Sequence, residues 1–223
     1  MGIEAAYPPF NNKDASGQVV GFDKDIGDAL CARMKVECTV VTSDWDGIIP
    51  ALQTKKFDFL ISSMSITEER KQAVDFTDPY YSNKLQFIAA KKDAEFKTDK
   101  ASLKGKIIGA QRATLAGSWL DDHLGDDVTI KLYDTRKTPT STAGRAPGRH
   151  PGGQIRQLRM AEERSRQALR VQGQPVEESD KIGIAVRKKD DALRERLNAA
   201  LKEIIADGTY KKINDKYFPF SIL

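Results

Sequence analysis

The stretch "FDFLISSMSITEER", Phe57 to Arg70, decides the fold. Its apolar run, Phe57 to Ile61, has the length of a buried strand and no helical period. Ser62, Ser63 and Ser65 follow, and then Thr67 stands before "EER", the signature of a helix N-cap followed by acids in the first turn. A strand that runs directly into a helix start is one half of an α/β unit, and such sheets take ligands beyond the carboxyl ends of their strands. The unpaired N–H groups at a helix start attract an anion. Arg70, about one turn in, offers a planar fork for a carboxylate, and the serine hydroxyls either donate or accept. Two readings fit: a capped helix whose arginine pairs with Glu69 or Asp75, or a seat for a small carboxylate.

The same alternation continues outward. "TVVTS" precedes "WDGIIPALQTKK", "KIIGAQ" precedes "TLAGSWLDDHL", "VTIKLYD" follows, and "KIGIAVRK" precedes a long helical pattern. In that pattern Leu193, Leu197, Leu201 and Ile204 or Ile205 recur at helical spacing until Gly208 stops it, and a short helix around Tyr210 to Tyr217 follows. Strands alternating with helices predict α/β architecture with mostly parallel sheets. Two aromatics fall at carboxyl ends of strands: Tyr7, in a proline-bounded turn in "EAAYPPF", and Trp45, in "SDWDG". With Glu4 nearby, their faces suit a flat or cationic group; ordinary packing is the commoner fate of either.

With 223 residues, 39% hydrophobic and 30% charged, the chain has ample surface to bury a core in one large domain or two small ones. No apolar run reaches the roughly 20 residues of a membrane helix. The abrupt opening, "MGIEAAYPPF", leads to the expectation that a leader and a few further residues have been removed. Cys31 lies near the end of a helical pattern and Cys38 opens a β-rich run, which fits either a disulfide or two buried thiols. No metal-ligand cluster, cofactor motif or Ser–His–Asp set is evident. Of the two histidines, His123 lies in the polar run "LDDHLGDD" and His150 in an irregular segment. An enzyme is therefore the weaker alternative.

That irregular segment, residues 136–174, is rich in Arg, Gly, Pro and Gln and reads as a loop or a basic arm. It carries eight arginines, one lysine and two glutamates, a net of +7 against +4 for the whole chain, so the remainder carries −3. Nucleic-acid binding through it is a further alternative, but no aromatics interleave it and no nucleic-acid motif accompanies it, so no nucleic acid is expected as partner.

"AAYPPF", "GFDKDIGDALCARM", "DWDGIIPALQTKKFDFLISSMSITEERKQAVDFTDPYY", "LKGKIIGAQRAT" and "ADGTYKKINDKYF" together resemble the periplasmic solute-binding proteins of polar amino-acid ABC importers, in the lysine/arginine/ornithine- and histidine-binding branch. The resemblance implies the two-lobed type II periplasmic binding protein fold, with lobe 1 at 1–83 and 185–223, lobe 2 at 84–184, and two crossover strands forming a hinge. It implies a Cys31–Cys38 disulfide, a periplasmic location, an amino-acid ligand between the lobes, a membrane permease as partner, and a monomer with no cofactor and no metal. By position, Arg70 would grip the ligand α-carboxylate with backbone N–H help from Ser65 and the Thr114 region, and the Ser65 hydroxyl would meet the α-ammonium. Tyr7 and Trp45 would sandwich the side chain, while Glu4, Ser62 and Ser63 would meet a distal cationic group. "QRATLAG" departs from the family by placing Leu115 where paired threonines are common.

The family also places an aspartate for the α-ammonium in the segment where this chain departs from it. Lys137 to Thr142, "KTPTST", is compatible with AAA ACG CCT ACC TCG ACC; read one base earlier after a G, this becomes Glu-Asn-Ala-Tyr-Leu-Asp. Gly148 to Ile155 similarly yields Asp-Gly-Ile-Leu-Ala-Asp-Lys, with the family-like aspartate at Gly153–Gln154. Met160 followed by Ala161 forces a Trp codon in that shifted frame. The reading is a frameshifted second lobe that returns to frame near Pro175. Sequencing the coding DNA or weighing the intact protein separates a recording error, which restores the family-like strand, helix and aspartate, from a polypeptide that carries the segment and is expected to bind poorly or misfold; an intact mass equal to that of the chain above, together with full solute affinity, would show that the missing aspartate is dispensable.

Overall fold

The computed structural model describes residues 1–90, 97–135 and 169–223. The chain divides into two compact units, Met1–Lys84 with Glu178–Leu223, and Leu85–Glu177.

The first unit begins with β1 (Gly2–Ile3), a small antiparallel sheet of β2 (Ala6–Tyr7), β3 (Asn11–Lys13) and β4 (Val19–Val20), and α1 (Phe22–Arg33). Then come β5 (Val41–Thr42), a 3₁₀ turn at Trp45–Gly47, α2 (Ile48–Gln53), β6 (Phe59–Ser65), α3 (Glu68–Ala73) and β7 (Val74–Phe76). Next is β8 (Tyr81–Ala90), which leads into the second unit. There the described elements are α4 (Lys100–Leu103), β9 (Ile107–Gln111), α5 (Leu115–Leu124) and β10 (Thr129–Tyr133). The long strand β11 (Leu169–Arg187) leads back, and α6 (Asp191–Ala206) and α7 (Thr209–Tyr217) complete the first unit.

The main sheet has the order β5-β1-β6-β11-β7, and β8 also pairs with β11. β1 is parallel to both β5 and β6, as the strand–helix alternation predicts. β11 runs antiparallel to β6 and to β7. It reaches the sheet by returning from the second unit rather than through a helical crossover, so the rule that makes βαβ neighbours parallel does not apply. Every residue of β6 is buried, which explains its near-continuous apolar run. One face of the sheet packs Ile48, Leu52, Leu60, Met64 and Phe76 into a core. A separate aromatic cluster joins Phe10, Phe22, Tyr80, Tyr81 and Phe218. α1 packs against α6 and α7.

Cys31 and Cys38 form a disulfide that links the end of α1 to the segment before β5. That segment is less regular than "CTVVTS" predicts, since only Val41–Thr42 pair as a strand. Tyr7, expected in a turn, lies in β2, with the two prolines just beyond it. In the second unit, β9 and β10 pair in parallel, and Phe87, Leu103, Ile108, Leu120 and Leu124 form its core. The loop expected over 136–174 ends earlier, because residues 169–174 belong to β11. Residues 136–168, including His150, Lys137 to Thr142, Gly153–Gln154 and most of the arginines, lie outside the described residues.

In α6, Leu197, Ala200, Leu201 and Ile204 face inward and Ile205 does not: Ile204 is 0% exposed and Ile205 36%. Gly208, at φ 80°, ends the helix in the left-handed conformation that suits glycine. Ile204→Ala is therefore expected to destabilise the protein by about 2–5 kcal/mol, and Ile205→Ala by under about 1 kcal/mol, in urea unfolding.

Candidate functional site

β6 carries the site because it breaks its own ladder. Met64 pairs with Gly183 and Leu60 with Ala185, so Ile61, Ser62 and Ser63 stand opposite Ile184 alone. Ile184 turns instead to Thr77: its N–H donates to Thr77 Oγ1 at 3.1 Å, and its carbonyl accepts from the Thr77 N–H at 2.9 Å. Such a bulge re-aims the side chains around it. Ser63 sits in it at φ 54°, a left-handed conformation unusual for serine.

A buried polar network holds this bulge. Asp23, 0% exposed in the first turn of α1, accepts at Oδ2 from Ser63 Oγ (2.8 Å) and Asn11 Nδ2 (2.6 Å), and at Oδ1 from the Tyr80 hydroxyl (2.6 Å). The Tyr80 hydroxyl in turn accepts the backbone N–H of Ser63 at 3.1 Å. Ser63 is thus gripped through its main chain and its side chain by one carboxylate and one phenol. Burial, and then the Asp23 charge, push the Tyr80 hydroxyl well above the ordinary tyrosine range, so it stays protonated and keeps donating. The N-terminus of α1 is docked here by Phe22 N to Pro9 O (3.1 Å) and Asp23 N to Phe10 O (2.8 Å). Gly21, at φ 127°, permits that approach; a Cβ there would lie 2.4 Å from the Phe10 carbonyl oxygen.

The adjacent Ser62 hydroxyl accepts the Glu4 N–H at 2.9 Å. Glu4 is buried and precedes Ala5, whose φ is 58°. At the end of β6, Thr67 caps α3 by accepting from Arg70 N at 3.2 Å. Arg70 Nη1 donates to the Ser65 carbonyl at 2.8 Å, and the guanidinium carbon lies 5.5 Å from the centre of the Trp45 ring. The guanidinium is therefore oriented by a carbonyl on one side and an aromatic face on another. Asp75, one candidate partner for Arg70, gives its carboxylate to Lys188 Nζ at 2.8 Å and Lys189 N at 3.3 Å. The Lys188 hydrogen bond holds Asp75 below the usual carboxylate range. Tyr7 is buried and stacks on Phe10, with ring centres 4.9 Å apart.

Glu4, Trp45, Ser62, Ser63, Ser65 and Arg70 thus all belong to the first unit, tied to one another or to shared neighbours around the carboxyl end of β6. Thr114 belongs to the second unit, where it caps α5: its hydroxyl accepts from Gly117 N at 3.3 Å and donates to the Gln111 carbonyl at 2.8 Å. Ala113, just before it, is at φ 54°. His123 is exposed on α5 and stacks on Trp119 at 4.5 Å. Among the described residues, no group of His, Cys, Asp and Glu is placed to hold a metal ion.

Asp23, Tyr80 and Asn11 are the residues that sequence reasoning overlooks. A signal exists for the first: Asp23 shares a helical stripe with Ile26, Gly27 and Leu30, all buried. An acid on an apolar stripe requires buried partners.

Tyr80→Phe leaves the buried Ser63 N–H without its acceptor and is expected to cost about 1–3 kcal/mol at neutral pH. Because the folded state keeps Tyr80 protonated, its contribution to stability is complete below the unfolded tyrosine value of about 10 and is lost as pH rises from there toward the folded value. Denaturant unfolding between pH 9 and 11 is expected to show a decline that is shallower in Tyr80→Phe; an identical slope would show that Tyr80 does not stay protonated.

Over residues 1–220 the sequence matches the bacterial extracellular solute-binding proteins, family 3. It is 38% identical over 229 residues to the L-arginine-binding protein of Pseudomonas aeruginosa, covering 100% of this chain and 88% of that protein. It is 35% identical over 233 residues to the histidine-binding periplasmic protein of Salmonella typhimurium, covering 100% and 88%. Among solved structures, an ancestral arginine-binding protein bound to arginine is similar, with a TM-score of 0.84 at 32% identity, covering 97% of this chain and 96% of that one. A mixed α/β chain with a buried, bulged strand leading to an oriented arginine, matched along nearly its whole length, belongs to the bacterial extracellular solute-binding proteins of family 3.

Proposed function

We propose that this protein captures a cationic amino acid outside the cytoplasm and delivers it to the membrane permease of an ABC importer. The observation that carries the reading is the Arg70 guanidinium, oriented by the Ser65 carbonyl and the Trp45 face beside a capped helix start. A fixed planar fork beside short hydroxyls is complementary to an α-carboxylate. Glu4, whose backbone is held by Ser62, supplies an acidic group for a distal cation. Ser65 and the backbone around Thr114 serve the zwitterionic head, and Tyr7 and Trp45 flank the side chain.

Relatives named for arginine and histidine support a basic ligand, and the periplasmic name of the histidine-binding relative supports an extracytoplasmic location. The same names support a binding protein over a dehydratase-like enzyme of this fold. A solute-binding protein acts by shifting a conformational equilibrium, so only a solute with higher affinity for one state drives delivery. The importer would then read the loaded form.

Calorimetric titration with arginine, lysine, ornithine, histidine and glutamine is expected to place a cation first. Arg70→Ala removes two charge-assisted hydrogen bonds and is expected to weaken that solute about 100-fold or more. Glu4→Gln is expected to weaken cations about tenfold while sparing glutamine. Undiminished affinity in Arg70→Ala, or glutamine ahead of every cation in the wild type, would overturn the reading. Trp45 provides an independent readout: in Trp119→Phe it is the sole tryptophan, and its emission is expected to change on solute addition.

A further inference from the structure

Beneath the site lies a carboxylate that the proposed capture of solute does not use directly. Asp23 is wholly buried and accepts a hydrogen bond from the Ser63 hydroxyl at 2.8 Å. A carboxylate is an acceptor only, so the Ser63 hydroxyl must donate inward. Tyr80 fixes the Ser63 backbone from the same side, by accepting its N–H and donating to Asp23. The two bonds leave the Ser63 hydroxyl one role toward anything outside the network: its oxygen presents lone pairs and its proton is committed.

We propose that Asp23 is a positioning residue for solute selection, which fixes the Ser63 hydroxyl as an acceptor and so favours solutes whose side chains present N–H donors over those that present a carbonyl. The inference rests on the assignment of Ser63 to the solute site. The geometry gives it more than proximity. Ser63 lies at φ 54° within the three-residue bulge of β6, so its side chain cannot exchange partners by relaxing along a regular strand. Asn11 donates to the same Oδ2 at 2.6 Å, so that oxygen is held in place by a second donor. The donors around Asp23 named here, Asn11, Ser63 and Tyr80, come from β3, β6 and the segment before β8, so the carboxylate is oriented from three directions.

Arginine and citrulline form the discriminating pair, since they differ at one terminal group, an N–H donor in the first and a carbonyl oxygen in the second. The arginine-to-citrulline affinity ratio is to be measured by calorimetry in wild type, Asp23→Asn, Ser63→Ala and the double variant. The ratio is expected to fall about tenfold in Asp23→Asn, and to fall no further when Asp23→Asn is added to Ser63→Ala. That coupling separates action through the Ser63 hydroxyl from a general loss of structure, which would weaken both solutes alike. It also separates it from a long-range effect of the lost charge, which would persist without the hydroxyl. An unchanged ratio in Asp23→Asn, or an equal fall in both backgrounds, overturns the proposal. If Asp23→Asn does not fold, Ser63→Ala alone remains decisive: it must lower the ratio about tenfold, and an unchanged ratio overturns the proposal. Failure of the wild type to bind any basic amino acid would instead sink the functional reading on which this one stands, so the two failures are distinguishable.

Discussion

The Asp23 carboxylate is the constraint on which the first unit's site depends. It joins α1 to β3, to the bulge of β6 and to the segment before β8 through hydrogen bonds to Asn11, Ser63 and Tyr80. Removing a carboxylate from water costs several kcal/mol even after relaxation. Three hydrogen bonds to a charged acceptor, each contributing about 1.5–3 kcal/mol, are of the size needed to offset that cost. The balance holds only while every donor stays in place, so the network specifies one arrangement of four segments rather than adding much net stability.

How far the sequence discloses this arrangement depends on the kind of signal. The strand-to-helix passage at Phe57–Arg70 is legible because period and cap are local: α3 starts where its residues put it and Thr67 caps as its type demands, whereas β6 begins two residues after the apolar run does and takes in the serines expected beyond its end. The stripe of Leu197, Leu201 and Ile204 is legible for the same reason. The sense of β11 is not, since it depends on where the chain returns after a long excursion. Nor is the bulge. Nothing in "FLISSMS" distinguishes Ser63 from Ser65, yet Ser63 is left-handed and Ser65 continues the ladder opposite Ile182. That difference is imposed by Asp23 and Tyr80, distant in sequence by 40 and 17 positions.

The hydroxyls from Ser62 to Thr67 therefore divide by task. Ser62 receives the Glu4 N–H, Ser63 is bound to Asp23, and Thr67 satisfies the start of α3. A cluster of like residues in sequence becomes a set of unlike devices in space, because short side chains that both donate and accept take whichever role their neighbours leave open. The resemblance to family members assigns such residues to a solute; it does not disclose the supports behind them.

Backbone strain marks the same places. Of the non-glycine residues with positive φ, Lys35 and Lys55 follow the ends of α1 and α2, where a left-handed residue is an ordinary helix stop, and Lys189 lies in the turn between β11 and α6. Ala5, Ser63 and Ala113 have no such excuse, and each adjoins a residue assigned to the site: Glu4, Ser62 and Thr114. A strained conformation costs about 1–3 kcal/mol and persists only where its surroundings over-determine it. In the first unit two of these strains are linked, since the Glu4 N–H preceding Ala5 donates to the Ser62 hydroxyl, which precedes Ser63. Relaxing the bulge would move Ser62 and release Glu4, so neither can relax alone. The chain has thus met the cost of ordering these groups during folding, and a solute that engages them does not meet it again. Preorganisation of this kind raises affinity without adding a contact, so under the proposed function a strand that sacrifices part of its own hydrogen bonding suits the seating of a small charged solute.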